Sequence, residues 1–348
     1  MADFNPITAS RDLSKQRSLV EWFRLHKEKL WWLHSIYALM LGIGFMWLAK
    51  RNFAYLRVAV FHLSFIWLSS LFLPRLLKYR RLPPRWAPGL KHLVNFFNKN
   101  FYQQMVFFVL PIYYASTTLG SRNVVFVALI GLSALLATLD VVYDRHVSVK
   151  RGLTATFFAF NLFVLINVML PILWSVSNTL TTRISAILAL LSFLTLNYPA
   201  AQSAVRRVAI VFGISAAFLA VVELGRPLIP PAPLRLTHGE FGRDFDRESM
   251  QVVSPLLQLS SNGPLRLHGL TAVKAPLGLR EQLRHRWYEN GRLVCVSPLY
   301  NMVGGREEGF RLWASCAFGS IRDRTDLQLD LETEGGQLIG RATLKTAD

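Results

Sequence analysis

The stretch Glu223–Arg235, reading ELGRPLIPPAPLR, decides how this chain is organised. Four prolines fall in seven residues, at 227, 230, 231 and 233. Proline lacks an amide donor and fixes its own φ, so neither a helix nor a central strand runs through such a segment, and it reads as a stiff collar. Before it lie apolar runs long enough to cross a bilayer. After it comes alternating, charge-balanced sequence of the kind that forms half-buried strands.

Composition agrees with two regions facing different solvents. A chain of 348 residues that is 52% hydrophobic is too apolar for one soluble globule and long enough for a membrane block plus a modest domain. The net charge of +18 is unevenly placed: 23 Lys and Arg face 7 Asp and Glu up to Gly225, against 16 and 14 from Arg226 onward. Topology accounts for an excess in the membrane half, and the second half has no basic face for phosphates, so nucleic acid is excluded as a partner.

The expected fold is a membrane all-α bundle of about seven transmembrane helices followed by a small all-β antiparallel sandwich. Its parts are a basic cytoplasmic segment at 1–30, the helical region at 31–224, a proline-rich, irregular linker at 225–264 and the β domain at 265–348. The apolar runs are Trp31–Ala49, Phe53–Leu73, Phe101–Leu119, Val124–Tyr143, Leu153–Val176, Ile184–Tyr198 and Val208–Leu224, each near the roughly 20 residues that span hydrocarbon. The sixth is the shortest and is expected to continue through Pro199 toward Ser203. The segment before the first run is too long for a removable signal peptide and no small-residue cleavage site follows that run, so an uncleaved anchor is expected. With that segment inside, inner connections hold 18 basic residues and outer ones 5. The amino terminus is therefore expected in the cytoplasm, and an odd number of spans places the β domain outside.

Chemistry within the helical runs is sparse. Asp140 and Asp144 share a helical face near the inner end of the fourth run, beside Arg145 and His146. Intramembrane carboxylates suit a proton or cation relay, but an interfacial acid paired with the adjacent basic loop is the favoured reading. Asn161, in the fifth run, is a candidate for a hydrogen bond to a neighbouring helix, or for substrate contact.

Beyond the collar, Glu281–Glu289 and Arg292–Leu299 flank Asn290-Gly291, a strong hairpin signal because both turn residues tolerate positive φ. A simple register across that turn pairs Trp287 with Val294 and His285 with Val296, making His285 a core residue bonded to backbone. The opposite face carries Arg284, Arg286 and Tyr288, with Arg311 and Trp313 as further candidates for one binding surface. Rings beside guanidinium groups suit sugars or acidic peptides, because rings stack and Arg forks onto carboxylates. Asp326–Glu334 and Gln337–Lys345 repeat the hairpin pattern around Gly335-Gly336, with Asp330 opposite Arg341. The same simple register points the Cβ atoms of Cys295 and Cys316 apart. Spacings for a CxxC pair, a zinc set, a phosphate-cradling glycine loop or a GxSxG elbow are absent, so no cofactor or metal is expected.

HRWYENGRLV, GFRLWAS and ETEGGQLIGRATL resemble the bacterial module known as domain of unknown function 2914, over roughly Leu270–Thr346. His285, Arg286, Trp287, Gly291, Phe310, Arg311, Trp313, Ser315, Gly336, Leu338 and Gly340 fall on its pattern, whereas its common Gly-x-Trp is replaced by Arg324-Thr325-Asp326. The layout is similar to proteobacterial inner-membrane proteins that join such a module to a multispan block. That resemblance implies an inner-membrane location, a periplasmic β domain and no particular activity. The functional expectation is an envelope protein whose β domain binds a partner protein or glycan as sensor, scaffold or accessory. The alternative is a membrane transporter or lipid-processing enzyme carrying the β domain as an accessory.

Overall fold

A computed structural model describes residues 36, 40, 105–139, 142–147, 149–197, 203–259, 263–321 and 325–345. Among the described residues, five longer helices precede the collar: α1 (Met105–Ala115), α2 (Asn123–Thr138), α3 (Arg151–Trp174), α4 (Asn178–Leu196) and α5 (Ala204–Gly225). Ten strands follow: β1 (Arg235–Gly242), β2 (Phe245–Asp246), β3 (Gln251–Val252), β4 (Gly263–Lys274), β5 (Arg280–Glu289), β6 (Arg292–Val296), β7 (Tyr300–Val303), β8 (Phe310–Ile321), β9 (Asp326–Thr333) and β10 (Leu338–Lys345).

Among the described residues the chain does not form the seven-span bundle expected from hydropathy. Among the described residues, three helices are long and apolar enough to cross a membrane: α3, α4, and α5 with the 3-10 turn that extends it to Leu228. The third and fourth runs give the short helices α1 and α2. The physical reason is local. The α1 run is cut by a turn in which Thr117 and Ser121 donate their hydroxyls to backbone carbonyls. The α2 run tightens into a π-helical turn at Tyr143–Val147. The first two runs lie outside the described residues. The sixth run extends opposite to expectation: α4 begins at Asn178 and stops at Leu196, short of Pro199.

The helical core gathers Phe107, Phe108, Tyr113, Phe126, Ile130, Phe163, Val168 and Ile172. Burial of each large side chain contributes about 1.5–3 kcal/mol. By contrast α5 has no buried residue, and Val205, Val208, Phe212, Val221 and Leu224 on it are exposed.

The collar is packed, not a solvated tether. Ile229 and Ala232 join the helical core, while Leu234 enters the core of the β domain. Strand β1 starts immediately after, inside the segment read as irregular linker. The β region is antiparallel throughout. β1-β4-β8 form one sheet; β10-β9-β5-β6 form a second, with β7 also paired to β5. The two sheets share one apolar cluster, Phe241, Leu267, Cys316 and Phe318 from the first with Trp287, Leu327, Leu329 and Leu344 from the second. Their inner faces therefore look at each other.

Asn290 and Gly291 both take positive φ, 49° and 79°, as the hairpin requires. The register differs from the simple one by a bulge between Trp287 and Tyr288, which pairs Trp287 with Cys295 and Arg286 with Val296. A bulge moves following side chains to the other face. Cys295 consequently turns inward and forms a disulfide with Cys316 of the facing sheet, Cα atoms 6.0 Å apart.

Candidate functional site

Strand β5 alternates between core and surface. Leu283, His285 and Trp287 are buried, and Arg284, Arg286 and Tyr288 between them are half-buried on the outer face. The pairing with β9 puts Arg284 opposite Glu332, Arg286 opposite Asp330 and Tyr288 opposite Gln328. On the far side of β9, Arg341 of β10 also lies opposite Asp330. Opposite charges directly across strands are the favourable arrangement on a sheet face.

The side chains resolve this ladder in a definite way. Arg341 forks onto Asp330, with Nε donating to Oδ1 at 2.7 Å and Nη2 to Oδ2 at 2.9 Å. Denied that carboxylate, Arg286 reaches diagonally to Glu332 at 3.4 Å, and Arg284 approaches the same oxygen at 3.8 Å. The Arg286 guanidinium also sits 5.9 Å from the centre of the Tyr288 ring. The two carboxylates are sunk, at 5% and 9% side-chain exposure, while Arg284, Arg286 and Arg341 keep 30%, 31% and 26%. A molecule arriving at this face meets guanidinium groups and a phenol ring. Burial raises the Glu332 carboxyl above its ordinary range, with the two arginines opposing, and burial likewise raises Tyr288. The bond to Asp330 raises Arg341, which stays charged.

Arg311 and Trp313 are not part of this face. They project from β8 on the outer side of the three-stranded sheet, where Leu312 and Ala314 alternate with them into the core. There Arg311 pairs with Glu308 at 3.1 Å. Phe245 of β2 stacks on Trp313 with centroids 4.8 Å apart, and the Arg247 guanidinium lies 5.3 Å from its ring. The single surface expected from sequence is therefore two surfaces on opposite sides of the domain. His285 is buried as expected. Its Nε2 meets the Thr271 hydroxyl at 2.8 Å instead of backbone, and burial lowers its pKa to about 4.

Asp140 lies outside the described residues, and Asp144 is described only as backbone of the π-helical turn. Asn161 accepts from Ser133 of α2 at 2.6 Å and donates to Phe157 O at 2.9 Å. The more extensive polar set lies elsewhere. Asn167 donates to the Tyr113 hydroxyl at 2.9 Å, Tyr113 donates to Val164 O, and Thr182 lies within 3.1 Å of Asn167 Oδ1 and 2.8 Å of Asn178 O. All four side chains are buried, and hydropathy counting hid them among the apolar residues.

A second unforeseen feature joins the helical and β regions. Glu281, the second residue of β5, accepts from the Asn178 amide at 2.6 Å and from its side chain at 3.3 Å, adding a carboxylate to the start of α4. Arg226 donates to Thr179 and Glu223, each at 2.8 Å; Gln337 donates to Ile229 O and Asn123 to Leu338 O. Beside Glu281 a cleft of about 420 Å³ is lined by Ser177, Arg280, Gln282, Asn301 and Glu334 among others. Among the described residues, no three His, Cys, Asp or Glu side chains cluster as a metal site would require.

Comparison with known proteins adds a family. No curated protein matches the chain. Among solved structures, the Pseudomonas fluorescens alkylpurine DNA glycosylase AlkC bound to DNA containing an abasic site analog aligns with 72% of this chain and 99% of that one. The identity is 9% and the TM-score 0.21, too low to bear on fold or function. Residues 13–272 match the model of a family of unknown function, DUF5924. That match ends within β4 and so stops before the arginine-bearing strand, and it covers only the first three residues of the module resemblance over Leu270–Thr346. Because it spans more than half of the chain, the protein belongs to the family of unknown function DUF5924.

Proposed function

We propose that this protein is a membrane-anchored binding protein of the bacterial inner membrane. Its antiparallel β domain, a sandwich of the kind that resembles domain of unknown function 2914, faces the periplasm. It recognises a carboxylate-bearing envelope protein or glycan. The observation that carries the reading is the ladder on β5, β9 and β10, in which sunken carboxylates hold three guanidinium groups at the surface and the Tyr288 ring lies beside that of Arg286. Guanidinium forks match carboxylates in two hydrogen bonds, and the ring suits a sugar face or side chain.

Anchoring is supported by three helices of membrane length and by the apolar surface of α5. Orientation is supported by charge. The ends of α3, α4 and α5 away from the β domain adjoin Arg145, Lys150, Arg151, Arg206 and Arg207, whereas Arg183 and Arg226 at the near ends are paired with Glu223. Excess basic residues favour the cytoplasmic side. The disulfide fits the oxidising side. The polar set around Asn167 pairs its groups within the protein, which suits helix packing and lends the transporter or lipid-enzyme alternative no specific support.

The test uses the full chain in detergent, with polygalacturonate as an anionic glycan, an acidic peptide and neutral dextran as probes. Arg284→Lys with Arg286→Lys keeps Glu332 paired but removes the forks. Affinity for one of the acidic probes should fall about tenfold, the equivalent of one charge-assisted hydrogen bond. Arg311→Ala should leave it unchanged. Equal loss on the Arg311 side, or no preference for either acidic probe over dextran, defeats the reading. A reporter fused after Asp348 that is active only in the cytoplasm defeats the orientation.

A further inference from the structure

The guanidinium face and the contact with the helices lie on one strand. Glu281 is followed along β5 by Arg284, Arg286 and Tyr288. At about 3.3 Å per residue, the first arginine is about 10 Å from the carboxylate that meets α4. An extended strand paired on both sides moves nearly as a unit, so a shift of the arginines is a shift of Glu281. β9 pairs with Leu283–Glu289 on one side and β6 with Arg286–Glu289 on the other; Glu281 is paired to Met302 of β7, and the Glu334 amide donates to Gln282 O beside it.

From Glu281 a continuous set of buried hydrogen bonds leads into the helical core. The carboxylate holds the Asn178 amide; the Asn178 carbonyl accepts from Thr182; Thr182 lies against Asn167; and Asn167 donates to Tyr113 of α1. Four elements, β5, α4, α3 and α1, are thereby joined by side chains that are at most 5% exposed. The start of α4 also holds spare bonding capacity. Asn178 Oδ1 and Thr181 Oγ1 are buried without a hydrogen-bond partner among the described residues, so a second arrangement of that turn has groups to pair with.

We infer that Glu281 is a transmission joint: binding at the arginine face displaces β5, Glu281 shifts its hold on the first turn of α4, and the change reaches α1 through Thr182, Asn167 and Tyr113. This makes the β domain a sensor coupled to the helices and not a passive hook, and it rests on the binding role proposed above. Glu281 is a positioning residue here, since it touches no ligand in this scheme. Physical coupling requires an element with two arrangements that both sites bias, and the α4 turn is that element.

The experiment is hydrogen exchange by mass spectrometry on the full chain in nanodiscs, in two arms. Without any ligand, Glu281→Ala should speed exchange of the amides at 178–182 roughly two- to thirtyfold, the range for losing a helix cap. The effect should extend to peptides covering Tyr113. Glu281→Gln, which keeps an acceptor, should leave both near wild type. Thr182→Val should confine the Glu281→Ala effect to α4. Unchanged exchange at 178–182 in Glu281→Ala, or a change that never reaches α1, overturns the joint whatever binds the β domain. In the second arm, whichever acidic probe binds should alter exchange at 178–182 in wild type and not in Glu281→Ala, although Glu281→Ala still binds it. Probe binding with no response at α4 in wild type overturns the joint and leaves the binding role standing. Failure of both acidic probes to bind removes the binding role, and the ligand-free arm still decides the joint.

Discussion

Acidification should weaken the β domain through His285. The imidazole is fully buried between the sheets, and burial lowers its pKa from 6.5 to about 4. The unfolded chain takes up this proton near pH 6.5, whereas the folded chain refuses it until about pH 4. Stability from the neutral imidazole is therefore fully present above pH 6.5 and is lost as pH falls through that window. At 1.36 kcal/mol per pH unit, the loss is about 2 kcal/mol at pH 5 and about 3 kcal/mol near pH 4. Buried carboxyls pull the other way, because Glu281 and Glu332 are raised by burial and favour the folded state as they protonate. The measurement must therefore isolate the histidine. His285→Gln does not titrate and keeps an amide within reach of the Thr271 hydroxyl. Urea titration with pulse proteolysis of the full chain in detergent, from pH 7.5 to 4.5, gives a stability profile for each form. The wild-type profile should drop relative to the variant by about 2 kcal/mol between pH 7 and 5. Parallel profiles would refute the idea that a buried, neutral imidazole is what the sheets enclose.

Other expectations follow from single contacts. Glu281→Gln removes a buried charge while keeping an acceptor for the Asn178 amide. Since the Glu281 pKa is raised by burial, its own contribution is present at acid pH and lost as pH rises through that raised value, so the variant should gain stability over wild type as pH increases. A thermal melt at pH 5 and pH 8 checks the sign. Asp330→Asn breaks the forked pair and should cost about 1.5–3 kcal/mol in the same urea assay. Gly269→Ala drives a methyl into Trp287 and Leu329 and should destabilise by about 1–3 kcal/mol, visible as a lower melting temperature. Reduction of the Cys295–Cys316 bond, which closes a loop with a sequence separation of 21, should lower stability by about 3 kcal/mol in wild type and change nothing in a Cys295→Ser, Cys316→Ser protein.

The parts of the fold governed by local pattern were legible in the sequence. Asn290-Gly291 and the alternation on either side place β5 and β6, and the Asp330–Arg341 pairing follows from the Gly335-Gly336 turn. What local pattern does not carry was read less well. The bulge after Trp287 brings Cys295 inward, and no composition rule announces one extra residue. Hydropathy counts residues and not helical turns, so the breaks after Ala115 and Thr138 are invisible to it and it counts more spans than the described residues form. Arg284, Arg286 and Tyr288 are legible because they share a strand face; the same alternation puts Arg311 and Trp313 on an outer face, but their strand belongs to the other sheet, which only topology reveals. By local pattern Glu281 is an ordinary strand residue, since its partner Asn178 is 103 positions away. Asn167 and Thr182 become conspicuous only when helices are placed side by side.

Ile229 and Leu234, five residues apart, are gripped by different cores, one helical and one between sheets. A domain fastened in this way cannot swivel like a ball on a string. For a protein anchored as proposed, the arginine-bearing side would be carried at a fixed height and tilt above the lipid. Its encounters would then be those of a float drifting in a plane, confined to targets standing at that one level.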